Sequence, residues 1–84
     1  MMKQLPTLDQ MRHYVLNEIL KTPDVELADN QELLLSGLLD SISVTRLVAY
    51  IEETSGISVP PEDLLPENFG SLIRIQQYLQ SEAG

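Results

Sequence analysis

The stretch Asp40–Gly56, DSISVTRLVAYIEETSG, decides how this chain is read. At about 100° per residue, Val44, Leu47, Val48 and Ile51 fall on one side of a helix, and that side is the core. The helix begins at or just after Ser41 and ends before Gly56, whose missing side chain suits a C-terminal stop. Ser41, Ile42, Thr45, Ala49, Glu52 and Glu53 fall on a second face. A serine in the first turn, then small and apolar residues, then paired acids make a mixed surface that points to docking rather than plain solvation.

Outward from this helix, the periodicity stays helical. Thr7 caps a first helix and Gln10, three residues on, completes a capping box. Leu8, Met11, Val15 and Ile19 recur on one buried face, and Lys21, Thr22 and Pro23 end it. Nearly twenty residues without a period follow, a long connection for a small domain. Leu33, Leu34, Leu35 and the pair Leu38 and Leu39 pin it to the core. Beyond Gly56, the paired prolines Pro60 and Pro61 open a short helix with Glu62 and Asp63 at its positive end. Pro66 breaks the chain again, Phe69 plugs the core, and Ser71 caps a last helix with Leu72, Ile75 and Leu79 on one face. The expected fold is all-α, a small four-helix bundle of three main helices and one short one. One domain is expected over 1–84, with an ordered core of about 7–80.

Composition limits what such a domain does. Apolar residues make up 43% of the chain, yet only Tyr14, Tyr50, Phe69 and Tyr78 are aromatic, so the core is mostly Leu, Ile and Val. Thirteen acids against five bases give a net charge of −8, and Arg46 is the one base between Asp24 and Glu67. A nucleic-acid backbone repels that surface, whereas a basic protein partner is drawn to it. The acidity also simply keeps a small domain soluble. There is no cysteine, which removes disulfides, thiolate metal sites and a thiol nucleophile. No apolar stretch has the length of a signal peptide or a membrane span, so the expected setting is cytoplasmic.

Independent catalysis finds little support. The single histidine, His13, lies off the core side of the first helix and reads as a solvated residue. Asp40 beside Ser41 is not triad geometry, and LDSIS lacks the glycines of a nucleophile elbow. No acid spacing matches a metal loop. An Asp-Ser pair before a helix, taken alone, makes Ser41 a helix cap.

The larger constellation resembles the acyl carrier protein family, including the freestanding acyl, aminoacyl and peptidyl carriers. It is carried by SGLLDSISVTRLVAYIEE, then GISVP, then PENFGSLIRIQQYL, across nearly the whole chain. The resemblance implies a non-catalytic protein whose serine, Ser41, receives 4′-phosphopantetheine from coenzyme A, with Asp40 in the motif that the phosphopantetheinyl transferase reads. It implies a phosphoprotein whose arm holds acyl or aminoacyl groups as thioesters. Its partners would be the transferase, a loading ligase, and acyl-transfer or condensing enzymes of fatty acid, polyketide or nonribosomal peptide type. GLLDS and PENF look more like carriers of adenylating ligases and secondary metabolism. Arg46 stands where many fatty-acid carriers have an acid, which bears on partner choice and adds it to the expected docking set of Ile42, Thr45, Ala49, Glu52 and Glu53. Ser55 stands where an aromatic commonly precedes the glycine. A monomer is expected, without a metal. The alternative is a small acidic helical adaptor that binds partners unmodified.

Overall fold

The computed structural model describes residues 4–83, and among them there is no strand. Helix α1 spans Leu8–Tyr14 and continues as a wider π-type turn over Val15–Ile19. Helix α2 spans Ser41–Ser55, α3 Pro66–Phe69 and α4 Leu72–Ala83, with a 3-10 turn at Pro61–Asp63. This is the expected all-α bundle.

The N-terminus of α1 is fixed by its own sequence. Thr7 Oγ1 accepts from Gln10 N at 3.0 Å while Thr7 N donates to Gln10 Oε1 at 2.9 Å, a reciprocal box that satisfies two otherwise orphaned donors. Met11 and Val15 are fully buried and Leu16 joins them, whereas Leu8 and Ile19 are only half-buried. From Val15 on, the turn is widened, with Leu20 N donating to Val15 O at 2.8 Å, and this shifts the stripe by one residue at Leu16 and Ile19. Lys21, at φ 57°, then turns the chain out of the helix.

Leu47, Val48 and Ile51 of α2 are buried and Val44 is half-buried, which places the core on the expected side. Gly56 ends the helix at φ 76°, a left-handed conformation that costs a residue without a Cβ little. Tyr14 and Tyr50 stack with ring centroids 4.3 Å apart. Leu72, Ile75 and Leu79 of α4 are fully buried, and Ser71 Oγ accepts from Arg74 N at 3.3 Å as its cap. Phe69 is 2% exposed and packs against Tyr78, so it is the expected plug. Ser55 is buried, yet its Oγ donates to Ile51 O at 2.7 Å and accepts from Ile57 N at 3.0 Å. A hydroxyl thus fits where an aromatic would pack, because both its capacities are met.

The minor helix lies elsewhere than the prolines indicated. Pro61 opens only one 3-10 turn, whereas Pro66, read as a break, is the first residue of α3. The ring's fixed φ suits either first position, and the cost of a proline falls only on a helix interior. The long connection is held from outside: Leu33 N donates to Gly70 O at 2.6 Å, and Ile73 N to Asp29 O at 3.0 Å. Leu27, Leu33 and Leu39 are buried from it, while Leu35 and Leu38 are exposed. Arg12 ties its first part to α1 by donating to Leu27 O at 2.8 Å and pairing with Asp9 and Asp29.

Candidate functional site

The helix cap at the start of α2 is Asp40, not Ser41. Asp40 is extended, at φ −88° and ψ −177°, and its Oδ1 accepts from Ser43 N at 2.8 Å. Its carbonyl accepts the first helical bond, from Val44 N at 2.9 Å. Ser41 is therefore already inside the first turn, and the capping bond is made by the residue before it. The Ser43 backbone N–H, then the Ser43 side chain, hold the Asp40 carboxyl below the usual aspartate range.

This division of labour leaves Ser41 unencumbered. It is exposed, and its hydroxyl makes no hydrogen bond with another described residue. Its carbonyl accepts from Thr45 Oγ1 at 2.8 Å, which commits Thr45 to the helix's own backbone. The positive end of the helix dipole lies beneath a group attached here, so a phosphodiester on Oγ would be electrostatically tolerated despite the acidic surroundings.

The approach to Ser41 is a closed loop. Leu39 N donates to Leu33 O at 3.0 Å, and Gly37 N to Leu34 O at 3.1 Å. Glu32 Oε1 accepts from both Leu34 N and Leu35 N, at 3.1 and 3.0 Å, while Ser36 Oγ donates to Glu32 O at 2.5 Å. Gly37 takes φ 78° at the turn, open to solvent. A shallow cleft adjoins the serine, walled by Leu34, Leu39, Val44 and Leu64. Leu64 is carried by the segment that Tyr78 restrains: Tyr78 Oη donates to Asp63 Oδ2 at 2.6 Å, and Asn68 Nδ2 to Asp63 O at 3.0 Å. Burial and that acceptor raise the Tyr78 phenol well above its ordinary range.

Of the residues expected on the docking face, Ile42, 73% exposed, stands next to Ser41 in sequence, Thr45, Arg46, Ala49 and Glu53 are also exposed, and Glu52 is half-buried. Thr45, Arg46, Glu52 and Glu53 all have partners, and those of Arg46 and Glu52 lie on other segments. Arg46 Nη2 donates to Glu18 O at 3.0 Å, closing α2 onto the end of α1. Glu52 Oε2 accepts from Val59 N at 2.7 Å and is half-buried, so it holds the turn after Gly56. His13 is exposed on α1, 3.2 Å from Asn17 by its Nδ1. Among the described residues no group of three or more His, Cys, Asp or Glu could hold a metal, and no helix is long and apolar enough to cross a membrane.

Ser41 thus offers an exposed hydroxyl in the first turn of a helix, released from capping by the residue before it. Residues 13–79 match the family model described as "Phosphopantetheine attachment site", and the chain belongs to that family, whose members carry 4′-phosphopantetheine on a serine. No curated protein matches the chain significantly. Among solved structures, a chain in one titled "Crystal structure of FAD-dependent dehydrogenase" is 29% identical, with a TM-score of 0.74 over 82% of this chain and 97% of that one.

Proposed function

We propose that Ser41 is the attachment site and that the protein is a carrier, holding acyl or aminoacyl intermediates as thioesters and presenting them to successive enzymes. The observation that carries this reading is the transfer of the capping role to Asp40, which leaves an exposed hydroxyl with no structural task. Loading would form a bond between Ser41 Oγ and the phosphorus of coenzyme A's pantetheine phosphate. The bond to 3′,5′-adenosine bisphosphate breaks, and a base of the transferase takes the serine proton. The chain's own part is to present the hydroxyl on a rigid helix end.

A flexible arm keeps the thioester near any enzyme docked on the bundle, so the second encounter is intramolecular. The arm supplies the thiol that the cysteine-free chain lacks. Its partners are a phosphopantetheinyl transferase, a loading ligase of the adenylating kind and downstream acyl-transfer or condensing enzymes, in a secondary-metabolic setting that GLLDS and PENF favour. The likeness to a chain in a structure titled for a FAD-dependent dehydrogenase favours a flavin dehydrogenase among the downstream partners.

The test is incubation of the apo protein with coenzyme A and a broad-specificity phosphopantetheinyl transferase, read by intact mass. Addition of one phosphopantetheine is expected. No addition would instead leave the unmodified acidic adaptor as the better account.

A further inference from the structure

A groove of about 510 Å³ lies between the first helical stretch and the connection that follows it, lined by Arg12, Leu16, Val25, Glu26 and Leu27 among others. It shares no lining residue with the cleft beside Ser41. Leu16 and Leu27 are buried at its base, and Val25, 54% exposed, extends the apolar lining out to solvent. The charged lining is negative on balance. Arg12 is its one base, and that guanidinium is already paired with Asp9 and Asp29 and donates through Nε to Leu27 O at 2.8 Å. Glu26 is exposed and bonds to no described residue. The backbone is open here too. Val25 N on Thr22 O and Gln31 N on Ala28 O, each at 3.1 Å, close the turns on either side, but the N–H groups of Glu26, Leu27 and Ala28 donate to no described residue. Three consecutive unpaired donors beside an apolar groove are what an added extended chain can pair with.

We propose that this groove docks an extended segment of a partner protein, with an apolar side chain seated over Leu16, Val25 and Leu27 and lysine or arginine on either side of it. The basic side chains meet Glu26 and the excess carboxylate around Arg12, and carbonyls of the segment accept from the free N–H groups. A second copy of this chain is the wrong occupant, because its own net charge of −8 opposes the groove, and an anionic membrane or nucleic acid is repelled in the same way. The inference goes beyond attachment at Ser41 and does not rest on it. With no lining residue in common, a partner held in the groove leaves the cleft beside Ser41 open to another enzyme, which then meets the carrier at high effective concentration.

The probe is a capped heptapeptide of alternating lysine and valine, titrated at low salt into isotope-labelled apo protein and followed by amide shifts in NMR. Saturating shifts are expected at Leu16, Val25, Glu26, Leu27 and Ala28 and not at Ser41 or Ile42, with the same affinity for Ser41→Ala. Val25→Ala weakens binding by about fourfold, the scale for two half-exposed methyl groups. Glu26→Lys weakens it by about fivefold, the scale for reversing an exposed pair. Both side chains are exposed, so both variants keep the fold. Ile42→Ala, an exposed apolar residue outside the groove, binds as the wild type does. Shifts that do not saturate, shifts centred on Ser41, or wild-type affinity in both Val25→Ala and Glu26→Lys overturn the groove as a docking site. Equal binding of the peptide with glutamate in place of lysine overturns the basic occupant. Failure of Ser41 to accept phosphopantetheine overturns the carrier reading alone.

Discussion

Replacing Ser41 by alanine separates a structural serine from a functional one. Ser41 is exposed, occupies the first helical position, and offers its hydroxyl to no described residue, so its removal leaves neither a cavity nor an unpaired partner. What remains is intrinsic helix preference, which favours alanine over serine by about 0–0.5 kcal/mol in a first turn. Loss of a true cap would instead cost about 1 kcal/mol. For a domain of this length, 1 kcal/mol moves the midpoint by about 4–8 °C. Thermal melts of apo wild type and apo Ser41→Ala, followed by circular dichroism, should therefore coincide or show the variant higher by up to about 4 °C. A fall of about 4 °C or more would refute the assignment of the cap to Asp40.

Three further outcomes test other parts of the account. Tyr78→Phe removes the donor to Asp63 and should cost about 1.5 kcal/mol in urea unfolding, since the acceptor is a carboxylate. Because folding raises the Tyr78 pKa, its stabilisation is complete below the unfolded phenol's value of about 10 and is lost as pH rises beyond it. The alkaline loss of stability should thus be shallower in Tyr78→Phe, and equal slopes would contradict the burial of that phenol. Asp40 has the opposite sign: its lowered folded pKa stabilises above the unfolded aspartate value, and that contribution disappears as pH falls through the folded one. An NMR titration of its carboxyl carbon should give a midpoint below that of an ordinary aspartate, and a normal or raised midpoint would argue against the Ser43 N–H bond. Added NaCl or Mg²⁺ should raise the melting temperature by screening a chain of net charge −8, and an unchanged or lowered midpoint would count against self-repulsion as a destabilising factor.

Local signals account for the elements that could be placed in advance. The Thr7–Gln10 box, the apolar stripe Leu47, Val48 and Ile51, and the glycine at position 56 act over three or four residues, so sequence spacing alone reveals them. The connection before Ser41 obeys no period because its order is imposed from afar, through Leu33 N on Gly70 O and Ile73 N on Asp29 O. That is why Leu33 and Leu39 turn inward while Leu35 and Leu38, equally apolar, do not. The site was legible in outline, since Asp40 and Ser41 stand at the helix start as the spacing indicated. Which of two adjacent capping residue types takes the cap depends on where helical dihedrals begin, and a one-residue difference lies below what periodicity resolves. Arg46 and Glu52 were legible as members of a helix face, but their partners Glu18 O and Val59 N lie on other segments.

The most direct test of the central claim locates the modification. After reaction with coenzyme A and transferase, cleavage at Lys21 and Arg46 releases one peptide containing Ser36, Ser41 and Ser43 together with Thr22 and Thr45. Fragmentation of that peptide should place the phosphopantetheine on Ser41 alone, and Ser41→Ala should acquire none. Modification at Ser36 or Ser43, or a modified Ser41→Ala protein, would contradict the claim that Asp40 caps α2 so that Ser41 can carry the arm.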